Sequence, residues 1–311
     1  MKSKCSLTMR YTSMALTAAL LVWFYCVQPG FSSHSAVGWL VSSWNSETDY
    51  EHAWMVPLFS AAMIYQVRSK LAALPRTETV SWIPFLFLAS GALLYVAGYR
   101  TMQGRVVIGA LPFLLTGCMW FFLGRRAAWL CAFPFFFLWM AIPLPGFQQA
   151  TVGMQLMATQ AAHWGASLFG VQTVVEGTNI ASATGNWDAY SIAGGCSGMR
   201  SLMALLMIAV AWAYMSPLSW WKKLILAGSA IPLAILGNAF RVTSIFVFAE
   251  YVDPSFASKT WHDWSGLLFF FPATLIGLTL LYSVLAGEIP FLKKKRTVVL
   301  RSNGPKERSA Q

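Results

Sequence analysis

The chain has 311 residues, of which 57% are apolar or aromatic and only 11% are charged. A soluble globular chain carries about a quarter charged residues. Here the charges gather in short clusters between long apolar runs, the pattern of an integral membrane protein whose first partner is the lipid bilayer. That excludes a soluble enzyme, a disordered chain and a disulfide-stapled secreted domain. Five cysteines, an odd number with no CxxC pair, indicate neither a disulfide framework nor a zinc knuckle.

Taken in chain order, the apolar runs predict an all-α polytopic membrane protein of about eight transmembrane helices. They lie near residues 12–28, 52–67, 82–99, 106–123, 127–144, 198–216, 224–249 and 264–286. Most approach the roughly 20 residues needed to cross a bilayer core; the second is short. The first is read as an uncleaved span, because Trp23, Phe24 and Tyr25 stand where a signal peptidase needs small residues. With the N-terminus inside, the inner segments hold 17 of the 22 lysines and arginines, and eight of the eleven acidic residues fall outside. Dropping the second span would reverse every later loop, so both termini are expected in the cytoplasm. Residues 1–292 read as one polytopic catalytic domain and 293–311 as a basic cytoplasmic tail. Its Lys293-Lys294-Lys295-Arg296 cluster suits the inner leaflet rather than nucleic acid, despite the net charge of +11.

Between the fifth and sixth spans, residues 145–195 contain no lysine or arginine. A helix at the interface is expected over 154–169. Short β-prone pieces follow at 171–175, 178–183 and 188–192, separated by the turn signals Glu176-Gly177 and Gly185-Asn186. A long loop with structure of its own is often functional, and this one is expected to form a structured external cap.

Ionisable residues in or beside spans are costly and mark function. Arg241 lies 18 residues beyond Lys223 on the seventh span, about 27 Å along a helix and so close to the outer face of the core; Asn238 shares its helix face. Cys196 stands among glycines at the outer, N-terminal end of the sixth span. A helix N-terminus favours a thiolate, as does Arg200 four residues on. His262 opens the eighth span from the same side. Asp263 follows and can bias its protonation, although adjacent positions on a helix do not face each other. A thiol, an imidazole and a guanidinium thus fall at one depth on three consecutive spans. Together they permit acyl transfer: thiolate attack on a peptide carbonyl, proton donation by histidine to the leaving amine, and oxyanion or substrate stabilisation by arginine. Ser197 has no matching histidine–aspartate arrangement for a serine protease. One cysteine and one histidine fall short of a zinc site, so neither a metal nor another cofactor is expected.

These residues resemble the motifs of the exosortase/archaeosortase family. The string Gly195-Cys196-Ser197-Gly198-Met199-Arg200 is similar to its cysteine motif, Asn238-Ala239-Phe240-Arg241 to its asparagine–arginine motif, and His262-Asp263 with Gly266 to its histidine motif. Ile142-Pro143-Leu144-Pro145 is similar to the proline-containing end of a middle span. Asp49-Tyr50-Glu51-His52 looks like an early tyrosine–histidine segment, but Glu51 and Ala53 replace the serine and glycine of that pattern. Tyr50 and His52 are therefore carried only as substrate-side positions.

The resemblance covers roughly residues 45–285. It implies a transpeptidase-like membrane cysteine protease with Cys196 as nucleophile, His262 as general acid and base, and Arg241 as stabiliser, supported by Arg200, Asn238, Asp263 and Ser197. The implied substrates are exported proteins whose C-terminus carries a Pro-Glu-Pro type motif, a transmembrane helix and a basic cluster. The implied setting is the bacterial inner membrane with the site facing outward, and a cell-surface acceptor of unknown identity. The cap is expected to read the motif by adding a substrate strand. A lipid-linked glycosyl or acyl transferase is the runner-up and predicts that Cys196→Ser keeps much of the activity. A transporter predicts charge near the midplane and repeat symmetry. A scaffold predicts indifference to Cys196→Ala.

Overall fold

A computed structural model describes residues 2–31, 33–74, 81–192 and 198–288, with side chains omitted at 2–7 and 147–148. Cys196, Ser197 and the basic tail at 293–311 lie outside the described residues.

The architecture is helical with one small sheet. Helix α1 (Lys2–Val22) runs into a π turn (Trp23–Val27), and a short α2 (Ala36–Ser42), absent from the sequence expectations, is capped by the Ser35 hydroxyl on the Gly38 N–H at 3.1 Å. A 3-10 turn (Glu51–Trp54) leads into α3 (Met55–Ala72). There follow α4 (Ile83–Arg100), α5 (Gly104–Leu123), α6 (Arg125–Phe137) with a 3-10 extension (Leu138–Ala141), and α7 (Phe147–Leu168). After the sheet come α8 (Met199–Met215), α9 (Trp220–Gly228), α10 (Ala230–Tyr251) and α11 (Pro254–Ala286), which contains two π turns. The α11 start is set by its sequence: the Asp253 carboxylate accepts from the Phe256 N–H at 2.6 Å, and Pro254 follows at the position where no donor is needed.

Among the described residues, five of the eight expected spans are helices long and apolar enough to cross a membrane: Thr8–Val27, Ile83–Arg100, Gly104–Leu123, Trp220–Tyr251 and Pro254–Ala286. The other three, α3, α6 and α8, fall short. Gln66, Arg68 and Lys70 lower the apolarity of α3, α6 loses its α-helical form at Phe137, and α8 has 17 residues. These three pack on one another, and their buried faces (Val56, Met63, Phe137, Met207) make one core with Tyr25, Tyr50 and Val107. Helices sheltered by protein can carry polar joints that lipid would penalise. Pro134, inside α6, lacks the N–H that would bond the Leu130 carbonyl, and the Tyr214 hydroxyl of α8 donates to that carbonyl at 3.2 Å. Ser60 of α3 donates to the Pro134 carbonyl at 2.6 Å. Large apolar side chains on the outer helices, including Leu16, Leu93, Trp220, Phe240 and Leu267, stay exposed, as a lipid-facing rim requires.

The stretch between α6 and α8 carries the expected cap elements. Helix α7 starts seven residues before the anticipated 154. Strands β1 (Thr173–Glu176), β2 (Asn179–Ser182) and β3 (Tyr190–Ser191) form an antiparallel sheet in that order, with Thr173 opposite Ser182 and Asn179 opposite Ser191. Alternation along β2 buries Ile180 against α10. Ala158, Ala162 and Ala166 recur at helical spacing on α7 and lie with Val242, Ile245, Phe246 and Ala249 of α10 in one core. At this crossing Gly165 sits so close to Thr243 that any side chain there would collide with its hydroxyl. Replacing Gly165 by valine is expected to destabilise the protein by about 1–3 kcal/mol. Thr243→Ala should recover part of that loss, measured as a double-mutant cycle by thermal unfolding in detergent; additive effects would show that the helices are not in contact there.

Candidate functional site

The site is assembled along α10. Gly198 caps the start of α8 in the left-handed region, with φ of +80°, and a Cβ there would stand 2.7 Å from Asn238 Cγ. Only glycine satisfies both the conformation and the approach. Asn238 is buried, and one helical turn on is Arg241. Its Nη2 donates to the His262 carbonyl at 3.0 Å, and the guanidinium lies flush with Gly266, where a Cβ would meet Nε at 3.1 Å and Cζ at 3.2 Å. Ser244 and Trp261 reinforce the joint: the indole N–H donates to Oγ at 2.8 Å while that hydroxyl donates to the Arg241 carbonyl at 2.6 Å. His262 stands between the two π turns of α11, a distortion that recurs at functional sites.

His262 and Asp263 do meet, with Nδ1 2.9 Å from Oδ1, against the expectation for adjacent helical positions. Asp263 is exposed and free to swing toward the half-buried imidazole, at 71% against 34% exposure. Arg200 turns away from this joint. Its Nε donates to Asp49 at 2.6 Å and Nη2 to the Ser46 carbonyl at 3.0 Å, and Nη1 lies 3.2 Å from Glu51. Of the two arginines, Arg200 is thus engaged by two carboxylates, whereas Arg241 is bonded to the backbone of the histidine motif.

The Arg200 tie fixes the turn that carries His52. Glu51, His52, Arg200, Ser201, Arg241 and Asp263 border one cleft of about 420 Å³. A larger cleft, about 560 Å³, lies beside Asp49 and Tyr50 and does not border Arg241, and His262 lines neither of the two. Tyr50 itself is fully buried; its oxygen accepts from the Leu144 N–H at 3.2 Å, joining the early segment to the Ile142–Pro145 turn. His52 stacks on Tyr50 with ring centroids 5.6 Å apart, and its Nε2 is enclosed without a hydrogen bond among the described residues. Sequence reasoning quoted Gly198 and Gly266 within motifs but gave them no packing role, and it did not see Asp49 and Glu51 as the counter-ions of Arg200. Glycines beside a polar residue were the available signal for the first two, and the acidic run before a span was the signal for the others.

The fold and this arrangement define a multi-pass helical membrane protein with a polar site where its last long helices meet. The family model described as transmembrane exosortase matches residues 44–279, from the turn ahead of α3 into α11. The chain belongs to the transmembrane exosortase family. No curated protein and no solved structure matches it.

Two outcomes follow from this geometry. Gly198→Ala, which sets a methyl against Asn238 and strains the backbone, should lower stability by about 1–3 kcal/mol. A neutral unfolding midpoint for this variant would contradict the close approach. His52, in the turn ahead of α3, is pushed down to about 4 by burial, against the opposing pull of Asp49. The unfolded chain takes up this proton as pH falls below about 6.5, while the folded protein stays neutral. Stability from this group is therefore full above pH 6.5 and is lost progressively toward pH 4. The fall in unfolding temperature over that window should be shallower in His52→Gln, and equal slopes would refute the assignment.

Proposed function

We propose that the chain is a membrane cysteine protease or transpeptidase that removes the C-terminal tripartite tail of exported proteins at the outer face of the bacterial inner membrane. The observation that carries this reading is the Arg241–His262 joint. It unites two of the three motifs, and Gly198 on Asn238 brings the third to the same helix. Two peptide units separate Cys196 from Gly198, a reach of about 7 Å at full extension. Family membership supports a sorting-enzyme role.

In this reading the Cys196 thiolate attacks the scissile carbonyl carbon. Arg241 faces the resulting oxyanion. His262 holds its ring by donating Nδ1–H to Asp263 and gives the Nε2 proton to the leaving amine as the C–N bond breaks. An amine or hydroxyl of the acceptor, or water, then attacks the thioester. The C–S bond breaks, the acceptor proton passes to His262, and the thiolate is restored. Arg200 and Asn238 act as supports, and Ser197 as a neighbour of the nucleophile. The topology that suits this site counts α3, α6 and α8 as short interior crossings, giving eight with both termini cytoplasmic and the basic tail on the inner leaflet. The cap is then external, and β1 offers an edge to which a substrate strand can add.

The test is co-expression with a reporter that carries a tripartite tail, read by reporter mass in membranes. Wild type should remove the tail, Cys196→Ala should leave it, and Arg241→Lys should slow removal by about a hundredfold or more. Equal processing by Cys196→Ala would remove the thioester and return the site to a transferase reading. Product mass separates hydrolysis from transfer.

A further inference from the structure

Glu250 lies in the last turn of α10, where the helix dipole disfavours a carboxylate. Its cost is offset from the cap. Oε2 accepts from the Trp187 indole N–H at 2.8 Å, and Oε1 accepts from Asn186 Nδ2 at 2.6 Å and, at 3.4 Å, from the Thr184 hydroxyl. All three donors belong to the segment that joins β2 to β3. Trp187 is also stacked on Phe246, one turn back on α10, with ring centroids 5.3 Å apart and planes 14° from parallel. Strand β3 follows directly, and the Ile192 N–H then donates to the Thr178 carbonyl at 2.9 Å. Six residues beyond Ile192 is Gly198, seated on Asn238 of the same helix.

The described chain on either side of residues 193–197 is therefore tethered to α10, upstream through the cap and downstream through Gly198. Arg241 stands on that helix between the two tethers. We propose that Glu250 is a positioning residue: its latch on the 184–187 loop sets the cap's place on α10 and thereby holds the Cys196 segment in register with Arg241 and His262. The proposal rests on the cysteine-peptidase reading above. It gives the cap a mechanical role in the chemical step, separate from any contact with substrate. The cap is also held by the α7–α10 core, by the Tyr251 hydroxyl on the Phe169 carbonyl at 2.9 Å and by the Tyr190 hydroxyl on the Pro254 carbonyl at 3.1 Å, but those hydrogen bonds attach it away from the 184–187 loop.

The experiment compares Glu250→Ala and Glu250→Gln with wild type in the full-length chain in membranes. Tail processing is resolved into kcat and KM, Cys196 is alkylated with a water-soluble maleimide, and deuterium exchange is followed over 182–192. Because Glu250→Gln keeps an acceptor for Trp187, it should lie within about threefold of wild type. Glu250→Ala should lose about ten- to a hundredfold in kcat with KM nearly unchanged, alter the alkylation rate, and raise exchange in the loop while α10 stays protected. Wild-type kcat in Glu250→Ala overturns the proposal, as does a loss carried by KM, which would make the cap a substrate reader. Raised loop exchange with unchanged alkylation also overturns it, by showing a latch that does not reach the nucleophile. If exchange rises across α10 as well, the variant is unfolded, and Trp187→Phe, which removes one donor and keeps the stack, must reproduce the kcat loss in part or the proposal fails. Cys196→Ala runs alongside: processing by that variant would sink the peptidase reading itself, whereas the alkylation and exchange results do not depend on it.

Discussion

The guanidinium of Arg241 is the constraint around which the rest is arranged. It stands about 15 Å from the end of a mostly apolar helix, where an unsatisfied charge is expensive. Its bond to the His262 carbonyl offsets part of that cost, and Gly266 gives it a surface flat enough to lie against. Each of those partners fixes something else. The bond to His262 sets the register of α11 on α10. The space required beside Asn238, one turn earlier, admits only glycine at the start of α8. A polar group that must be satisfied thus aligns three helices whose apolar faces alone would allow them to slide.

Helix α10 serves as the ruler for the site. Asn238 receives Gly198, Arg241 receives His262, and the final turns receive the cap sheet through Ile245, Phe246 and Glu250. The shorter helices α3, α6 and α8 share a buried core, where hydroxyl–carbonyl joints such as Tyr214 to Leu130 replace the backbone bonds that proline removes. The longer apolar helices carry the exposed leucines and aromatics. The hydroxyl–carbonyl joints are shielded by protein, whereas the cleft lined by Glu51, His52, Arg200, Arg241 and Asp263 is open, with Glu51 and Asp263 half or more exposed.

Much of this was legible in the sequence, because its causes are local. Apolar runs marked the helices, β-prone pieces marked the small sheet, and Gly185-Asn186 and Glu176-Gly177 marked its turns. The convergence of Arg241 and His262 followed from helix rise and basic-residue asymmetry. The span count was less secure. Length and apolarity identify helices that face lipid, and α3, α6 and α8 owe their places to one another instead.

By itself the sequence determined the helical class, the membrane setting and the family, since periodicity, charge and motif spacing are properties of a single strand of chain. The tertiary structure alone decided which arginine joins the histidine motif and that Arg200 belongs to Asp49 and Glu51. It alone showed that His52 shares the cleft while Tyr50 is buried beneath it, and that Glu250 accepts from side chains of the 184–187 loop. Those outcomes depend on pairs separated by up to 154 residues, such as Arg200 and Ser46. Side-chain reach and close packing settle such pairs only after the helices have met.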